Sequence, residues 1–309
     1  MHILFACPRH DAQQWLPGLQ AALPDVKFSV WDESGKPSGA EIALVWQPPA
    51  SLFTHETSLK TIFNLGAGVD AILALPTLPA DVQIVRLEDA GMSAQMTEYV
   101  IHALTRVTRN FGEYAKRQSD RGWTTLDEAP RSKWPVGVLG LGVVGARVAT
   151  ALAALEYPVA GWSRSQKAVE GVRTYSGQDG LAAFLSATRV LVNVLPLTDE
   201  TRNMIDASLL DQLQPGAIVI NVGRGASLVE DDLLAALESG QVHAAALDVF
   251  QTEPLPADHP FWDHPRVSIT PHIAARTLRE ETIAQIAAKL AQVARGESIS
   301  GVIQRDRGY

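Results

Sequence analysis

Val136-Gly137-Val138-Leu139-Gly140-Leu141-Gly142-Val143-Val144-Gly145 carries an apolar, strand-like stretch into three glycines spaced G-x-G-x-x-G, and Ala146 to Leu155 continues with helical character. In that setting each glycine has a physical task. Gly140 permits a tight turn, Gly142 lets backbone approach a pyrophosphate, and Gly145 lets the helix pack closely on the strand. The helix N-terminus, with Val143 and Val144 beside Gly145, then offers unsatisfied N–H groups to an anion. Strand, glycine turn and helix in this order predict a dinucleotide-binding unit.

Outward from this unit, short apolar runs recur at the spacing of strands alternating with helices, with neither an internal repeat nor a low-complexity stretch. Five precede it: His2 to Cys7, Lys27 to Asp32, Ile42 to Trp46, Thr61 to Leu65 and Gln83 to Leu87. Six belong to it: Val136 to Gly140, Val159 to Ser163, Val190 to Leu195, Ala217 to Val222, Ala244 to Val249 and Val267 to Thr270. Near-continuous apolar character suits parallel strands covered on both faces. The expected fold class is α/β with two doubly wound parallel-sheet domains, a flavodoxin-like one and a Rossmann nucleotide-binding one. Gln95 to Arg109 has helical spacing through Met96, Val100, Leu104 and Val107, and reads as the arm between them. Glu281 to Arg295, with Ile283, Ile286, Ala287, Leu290 and Val293 on one face, reads as a helix returning to the first domain. The domains expected are 1–98 with 276–309, and 99–275.

Composition narrows the function classes. The 309 residues, 46% of them hydrophobic, suffice for two cores. Lys and Arg number 26 against 34 Asp and Glu, a net charge of −8 with no basic block, which disfavours nucleic acid. No apolar run approaches the roughly 18 residues of a membrane span, and no basic region followed by an apolar stretch opens the chain. A cytoplasmic location is therefore expected. The single cysteine, Cys7, lies in the apolar run from Ile3 and reads as a small core hydrophobe.

After the second strand of the nucleotide-binding unit, an NAD-specific protein carries an acid for the ribose hydroxyls, but here the chain reads Trp162-Ser163-Arg164-Ser165. An unopposed Arg164 between the hydroxyls of Ser163 and Ser165 suits a ribose 2′-phosphate, held by charge-assisted hydrogen bonds. NADPH is expected as the preferred cofactor, with NADH second.

Three later segments each place a polar group at the end of an apolar strand: Asn221-Val222-Gly223-Arg224-Gly225, Leu247-Asp248-Val249-Phe250-Gln251-Thr252-Glu253-Pro254 and Thr270-Pro271-His272-Ile273. Ligands of open α/β sheets bind beyond the carboxyl ends of strands. A guanidinium at Arg224 can hold a substrate carboxylate by bidentate bonding. When hydride reaches a carbonyl carbon, the oxygen gains negative charge and needs a proton donor active near neutral pH, which the imidazole of His272 supplies. A carboxylate beside that ring, for which Glu253 is the candidate, orients it and favours its charged form. Taken singly these residues could cap a loop, sit in a solvated turn or bond within a core. Together, behind a dinucleotide loop, they point to reduction of a 2-oxo acid.

Through Gly140 to Gly145, Leu195-Pro196-Leu197-Thr198-Asp199-Glu200-Thr201, Asn221 to Gly225, Asp248 to Pro254 and Pro271-His272-Ile273-Ala274-Ala275, the chain resembles the D-isomer-specific 2-hydroxyacid dehydrogenases along nearly its whole length. Further stretches resemble those members that reduce short 2-oxo acids such as glyoxylate and hydroxypyruvate: Ala43 to Pro49, Leu65-Gly66-Ala67-Gly68-Val69-Asp70, Arg86 to Asp89, Trp162 to Ser165 and Arg307-Gly308-Tyr309. The resemblance implies that Arg224 binds the substrate carboxylate, that His272 donates the proton and that Glu253 pairs with it. It implies that Asp248 holds the nicotinamide carboxamide, with Leu195, Pro196, Thr198, Val222, Gly223 and Ala274 around the cofactor. It also implies that Ala67, Gly68 and Val69 offer backbone amides to the substrate carboxylate, that Trp46 walls the substrate pocket, and that the protein is a homodimer. Many relatives have another small residue at Gly223, which is expected to leave local room.

Other readings fit less well. No Tyr has a Lys four positions later, as short-chain reductases require. His259 and His264 lie in a Pro-rich loop without the spacing of a zinc-binding helix, so no metal is expected. A cofactor-sensing regulator on the same fold would have no need of all three polar groups.

Overall fold

Alternating strand and helix runs fold into two separate sheets, every strand pair in each being parallel. The computed structural model describes residues 1–7 and 12–305, so the terminal Arg307-Gly308-Tyr309 lies outside the described residues. The chain divides into two compact units, Met1–Met92 with the segment from Arg276 onward, and Ser93–Ala275. The helix Met92–Thr108 carries the junction, its first residue in one unit and the rest in the other. An α-helix is one hydrogen-bonded rod, so the change of unit comes at its first turn.

In the first unit, β1 (His2–Ala6), β2 (Lys27–Val30), β3 (Ile42–Val45), β4 (Thr61–Asn64) and β5 (Gln83–Val85) lie in the order β2-β1-β3-β4-β5. This is the flavodoxin-like order. Successive strand residues point to opposite faces. Ile3, Phe5, Leu44 and Phe63 pack with Trp15, Leu19, Ile283 and Ile286, while Leu4, Ala43, Val45 and Ile62 pack with Leu52, Phe53 and Ile72 on the other face. Cys7 is buried there, its thiol directed at the Leu44 carbonyl 3.4 Å away and pushed up in pKa by burial. The returning helix spans Arg279–Ala294 and buries Thr282, Ile283, Ile286, Lys289 and Leu290. Val293, expected on that face, is exposed. Its expected place among the buried residues is taken by Lys289, whose ammonium group donates to Glu88 Oε2 at 2.9 Å and to the Ser300 carbonyl at 2.7 Å. A charge so paired can be buried, which apolar periodicity does not register.

In the second unit, β6 (Val136–Leu139), β7 (Val159–Ser163), β8 (Arg173–Ser176), β9 (Val190–Asn193), β10 (Ala217–Asn221), β11 (Val242–Leu247) and β12 (Val267–Ile269) form a sheet ordered β12-β11-β10-β9-β6-β7-β8. Strand order reverses between β6 and β9, the switch point at which doubly wound sheets bind ligands. β8 is absent from the sequence reading because Arg-Thr-Tyr-Ser carries no apolar run. As an edge strand it is covered only in part. One face packs Val136, Val138, Val190, Val192, Ile218 and Ile220 against Val100, Leu104, Val148 and Leu152. Met96 and Val107 join that layer, so the spacing read for Gln95 to Arg109 corresponds to a buried stripe on a helix beginning at Met92. The other face packs Leu139, Leu191, Val219 and Leu247 against Phe184, Leu209 and Leu237.

Candidate active site

Backbone hydrogen bonds continue the ladder past the carboxyl ends of the second unit's strands, through Gly140 N to Trp162 O, Val222 N to Asn193 O, Asp248 N to Asn221 O and Thr270 N to Leu247 O. The catalytic and cofactor positions read from the sequence in this unit therefore lie along one end of its sheet. The three glycines differ as their tasks require. Gly140 has φ +102°, a conformation that side chains disfavour. A Cβ on Gly145 would lie 1.8 Å from the Gly140 carbonyl oxygen, so the helix Val143–Ala154 reaches the turn only without one. A Cβ on Gly142 would meet nothing within 4 Å. The space on the Cβ side of Gly142 is thus open and borders the helix N-terminus, which fits a dinucleotide pyrophosphate. Val143 is exposed at that helix start, whereas Val144 is partly buried.

Beyond β7, the Ser163 hydroxyl turns inward and donates to the Ser165 carbonyl at 2.8 Å, so Ser165 alone of the two serines is exposed. Arg164 is not unopposed: its Nη1 lies 3.7 Å from Glu200 Oε2, both side chains being largely in solvent. Thirty-six positions separate them, which is why reading along the chain misses the pair. A solvated contact at this distance is weak and leaves the guanidinium able to exchange partners. Glu200 belongs to the segment after β9, where Leu195 is buried, Pro196 is exposed, and Thr201 Oγ1 accepts from Thr198 N at 2.8 Å and donates to the Pro196 carbonyl at 2.7 Å.

Glu253 and His272, 19 residues apart, meet with Nδ1 of the ring 2.8 Å from Oε2 of the carboxylate. Glu253 Oε1 accepts from the Phe250 N–H at 3.0 Å, which fixes the carboxylate in its own turn. Partial burial pushes the Glu253 carboxyl up. Hydrogen bonds from His272 and Phe250 and the charges of His272 and Arg224 outweigh this and hold it below the usual carboxylate range. The Arg224 guanidinium donates to the Gly223 carbonyl at 2.8 Å. His272 has φ +55°, rare for a residue with a side chain, and its side chain is 47% exposed. Its backbone N–H donates to the Asp248 carbonyl at 2.8 Å. The Asp248 carboxylate is buried. It accepts from Ile273 N and Ala274 N, both at 2.8 Å, and from Thr270 Oγ1 at 2.6 Å.

Asn193 and Ser227, to which the sequence reading gives no role, hold this end of the sheet together with Asn221. Asn193 and Asn221 are register partners on β9 and β10, fully buried like Ser227. The Asn193 amide donates to Asn221 Oδ1 at 2.9 Å and to Ser227 Oγ at 2.7 Å, while its oxygen accepts from Leu195 N at 3.2 Å. Ser227 Oγ donates to the Arg224 carbonyl at 2.6 Å, Asn221 Nδ2 donates to the same carbonyl at 3.3 Å, and Gly223 N donates to Asn221 Oδ1 at 3.2 Å. The signal in the sequence was a strand ending in Asn at both 193 and 221, since an amide closing an apolar run must find partners when buried. Gly223 does not leave room as expected. A Cβ there would lie 2.8 Å from the Leu195 carbonyl and 3.1 Å from Asn193 Nδ2, because two strand ends converge on it. Val222 beside it is buried in the core.

In the first unit, Asn64 Nδ2 donates to the Gly66 carbonyl at 3.0 Å and the Gly68 carbonyl at 2.7 Å, which ties those carbonyls of the Ala67-Gly68-Val69 loop to β4. Ala67 and Gly68 are partly exposed and Val69 is buried. Trp46 follows β3, and its ring lies so close over Gly66 that a Cβ there would be 1.9 Å from it. The indole therefore borders the loop that carries those amides.

Residues 101–274 match the family described as D-isomer specific 2-hydroxyacid dehydrogenase, NAD binding domain. The chain is 46% identical, over 314 aligned residues and the full length of both, to glyoxylate/hydroxypyruvate reductase A of Yersinia enterocolitica serotype O:8 / biotype 1B. Among solved structures it is similar to a D-isomer specific 2-hydroxyacid dehydrogenase from Xanthobacter autotrophicus Py2 in complex with NADPH and MES. That likeness has a TM-score of 0.94 and 37% identity, over 100% of this chain and 99% of the other. A second similar structure is an NADPH-dependent glyoxylate/hydroxypyruvate reductase from Sinorhizobium meliloti in complex with NADP and sulfate. It has a TM-score of 0.93 and 35% identity, again over 100% of this chain and 99% of the other.

Proposed function

Because this chain belongs to the D-isomer specific 2-hydroxyacid dehydrogenase family, we propose that it reduces glyoxylate and hydroxypyruvate with NADPH, yielding glycolate and D-glycerate. The observation that carries this reading is the 2.8 Å contact between His272 Nδ1 and Glu253 Oε2 at the end of a dinucleotide-binding sheet. With Nδ1 engaged by the carboxylate, Nε2 is the nitrogen that presents a proton to the carbonyl oxygen. Arg224, anchored through its carbonyl by Asn221 and Ser227, holds the substrate carboxylate. In the first unit, Ala67, Gly68 and Val69 would offer backbone amides to a carboxylate, as the family resemblance implies.

When bound, NADPH would supply the hydride. The open space beside Gly142 and the helix N-terminus at Val143 and Val144 would take its pyrophosphate, and Arg164 and Ser165 its 2′-phosphate. Asp248, which also anchors the His272 turn, would hold the nicotinamide carboxamide, and Leu195, Pro196, Thr198, Val222, Gly223 and Ala274 would line the cofactor. Trp46 limits substrate length. A homodimer fits the helix Phe111–Ser119, which buries none of its residues, and the full exposure of Trp123.

The test is a spectrophotometric panel of glyoxylate, hydroxypyruvate, pyruvate and longer 2-oxo acids with NADPH and NADH. The two short acids with NADPH are expected to give the highest kcat/KM. In the same panel His272→Asn lowers kcat by about 10²-fold or more with little change in cofactor affinity, and Trp46→Ala relaxes the length preference. No turnover of any oxo acid, or wild-type kcat in His272→Asn, rejects the reading.

A further inference from the structure

Below the backbone of His272 runs a chain of three side chains whose proton directions are set. Thr270 Oγ1 donates to Asp248 Oδ1 at 2.6 Å and lies 2.7 Å from the phenolic oxygen of Tyr99. A hydroxyl carries one proton, and that of Thr270 is committed to Asp248. Tyr99 is therefore the donor to Thr270. Burial first, and then the charge of Asp248, raise the Tyr99 pKa against the opposing effect of its bond to Thr270, so the phenol keeps its proton.

Asp248 in turn holds three consecutive residues. Its carbonyl accepts from His272 N, and its carboxylate oxygens accept from Ile273 N and Ala274 N. Between Thr270 and His272 stands Pro271, which has no N–H to offer. His272 itself is in the left-handed region, a conformation that persists only where the surroundings over-determine it. On one side the ring is fixed by Glu253; the His272 N–H donates to the main-chain carbonyls of Asp248 and Thr270, and the two residues that follow it are held by the Asp248 carboxylate. Asp248 can rotate about its own side-chain bonds unless Oδ1 is held by something other than the turn it supports. Thr270 supplies that bond, and although its own carbonyl belongs to the turn, Tyr99 ties its hydroxyl to a separate element, the helix Met92–Thr108.

We propose that Tyr99 and Thr270 are positioning residues for His272, acting in series through Asp248 to hold the 272–274 turn and aim the imidazole. The inference rests on His272 as proton donor, but the geometry it claims can be measured without turnover. Thr270→Val and Tyr99→Phe remove the hydroxyls at nearly constant shape, and Thr270→Ser keeps the hydroxyl.

Thr270→Val is expected to lower kcat about tenfold and Tyr99→Phe about threefold, since displacement of a reacting group by a fraction of an ångström costs that order of rate. Thr270→Ser restores most of the rate. The double variant is no slower than Thr270→Val, because Tyr99 acts only through Thr270. Hydrogen–deuterium exchange, read on the amides of Ile273 and Ala274, speeds up in both single variants while the sheet core stays protected. Unchanged exchange at those two amides, or rate losses that multiply in the double variant, overturns the proposal. Should Thr270→Val not fold, exchange in Tyr99→Phe against Thr270→Ser makes the same decision. Wild-type protein inactive on every oxo acid would reject the functional reading, while the exchange measurement would still decide the positioning claim.

Discussion

A Cβ placed on Gly225 would lie 1.9 Å from the carbonyl carbon of Phe250. The loop that carries Arg224 and the loop that carries Glu253 thus cross backbone against backbone. Phe250 is also the residue whose N–H holds the Glu253 carboxylate. Only glycine permits this crossing, and through it the guanidinium and the carboxylate share one frame.

Gly225→Ala should therefore push the two loops apart. We expect a destabilisation of about 1–3 kcal/mol, the range for overpacking a close contact, seen as a lower Tm. A fall in kcat/KM should accompany it, because the guanidinium and the carboxylate lose their common frame. Gly142→Ala is the control, since its Cβ meets no protein atom. It should keep wild-type Tm and lose affinity for NADPH.

Glu253 makes the pH dependence of stability asymmetric. Its carboxyl is held below the usual range in the folded protein, so the unfolded chain binds more protons there than the native one. The stabilisation it contributes is complete above the unfolded value of about 4.3 and disappears as pH falls through the lower folded value. The difference in Tm between wild type and Glu253→Gln should thus shrink as pH falls below about 4. A gap that keeps widening in that acid range would contradict the depressed carboxyl.

Arg164 should govern cofactor choice. Arg164→Ala is expected to lower kcat/KM for NADPH by about 10- to 100-fold, the worth of a charge-assisted hydrogen bond or two to a phosphate, and to leave NADH within a few-fold. Glu200→Ala, which removes the carboxylate 3.7 Å from the guanidinium, should raise NADPH affinity slightly, most at low ionic strength. Steady-state kinetics with both cofactors at two salt concentrations checks both statements.

Much of this was legible along the chain, because strands buried on two faces need unbroken apolar runs and a glycine turn needs three glycines at fixed spacing. The eleven apolar runs read as strands correspond to eleven of the twelve strands among the described residues. β8 escaped because an edge strand needs no such run. The Rossmann unit could be recognised from residues 136–155 alone, since its turn chemistry is local. Asn193 and Ser227 escaped notice for the opposite reason. A buried amide looks like any other asparagine until the strand that supplies its partner is known.

What the order of residues settled without help was the α/β alternation, the phosphate turn and a short roster of polar groups at strand ends, all of which follow from interactions between near neighbours. Folding alone decided which of those groups meet. It set His272 beside Glu253, Arg164 near Glu200, Lys289 inside a core that periodicity reserved for Val293, and Gly223 in a crowded site instead of an open one. These are contacts between residues far apart in the chain, and their distances depend on how whole strands and helices pack, which no local pattern records.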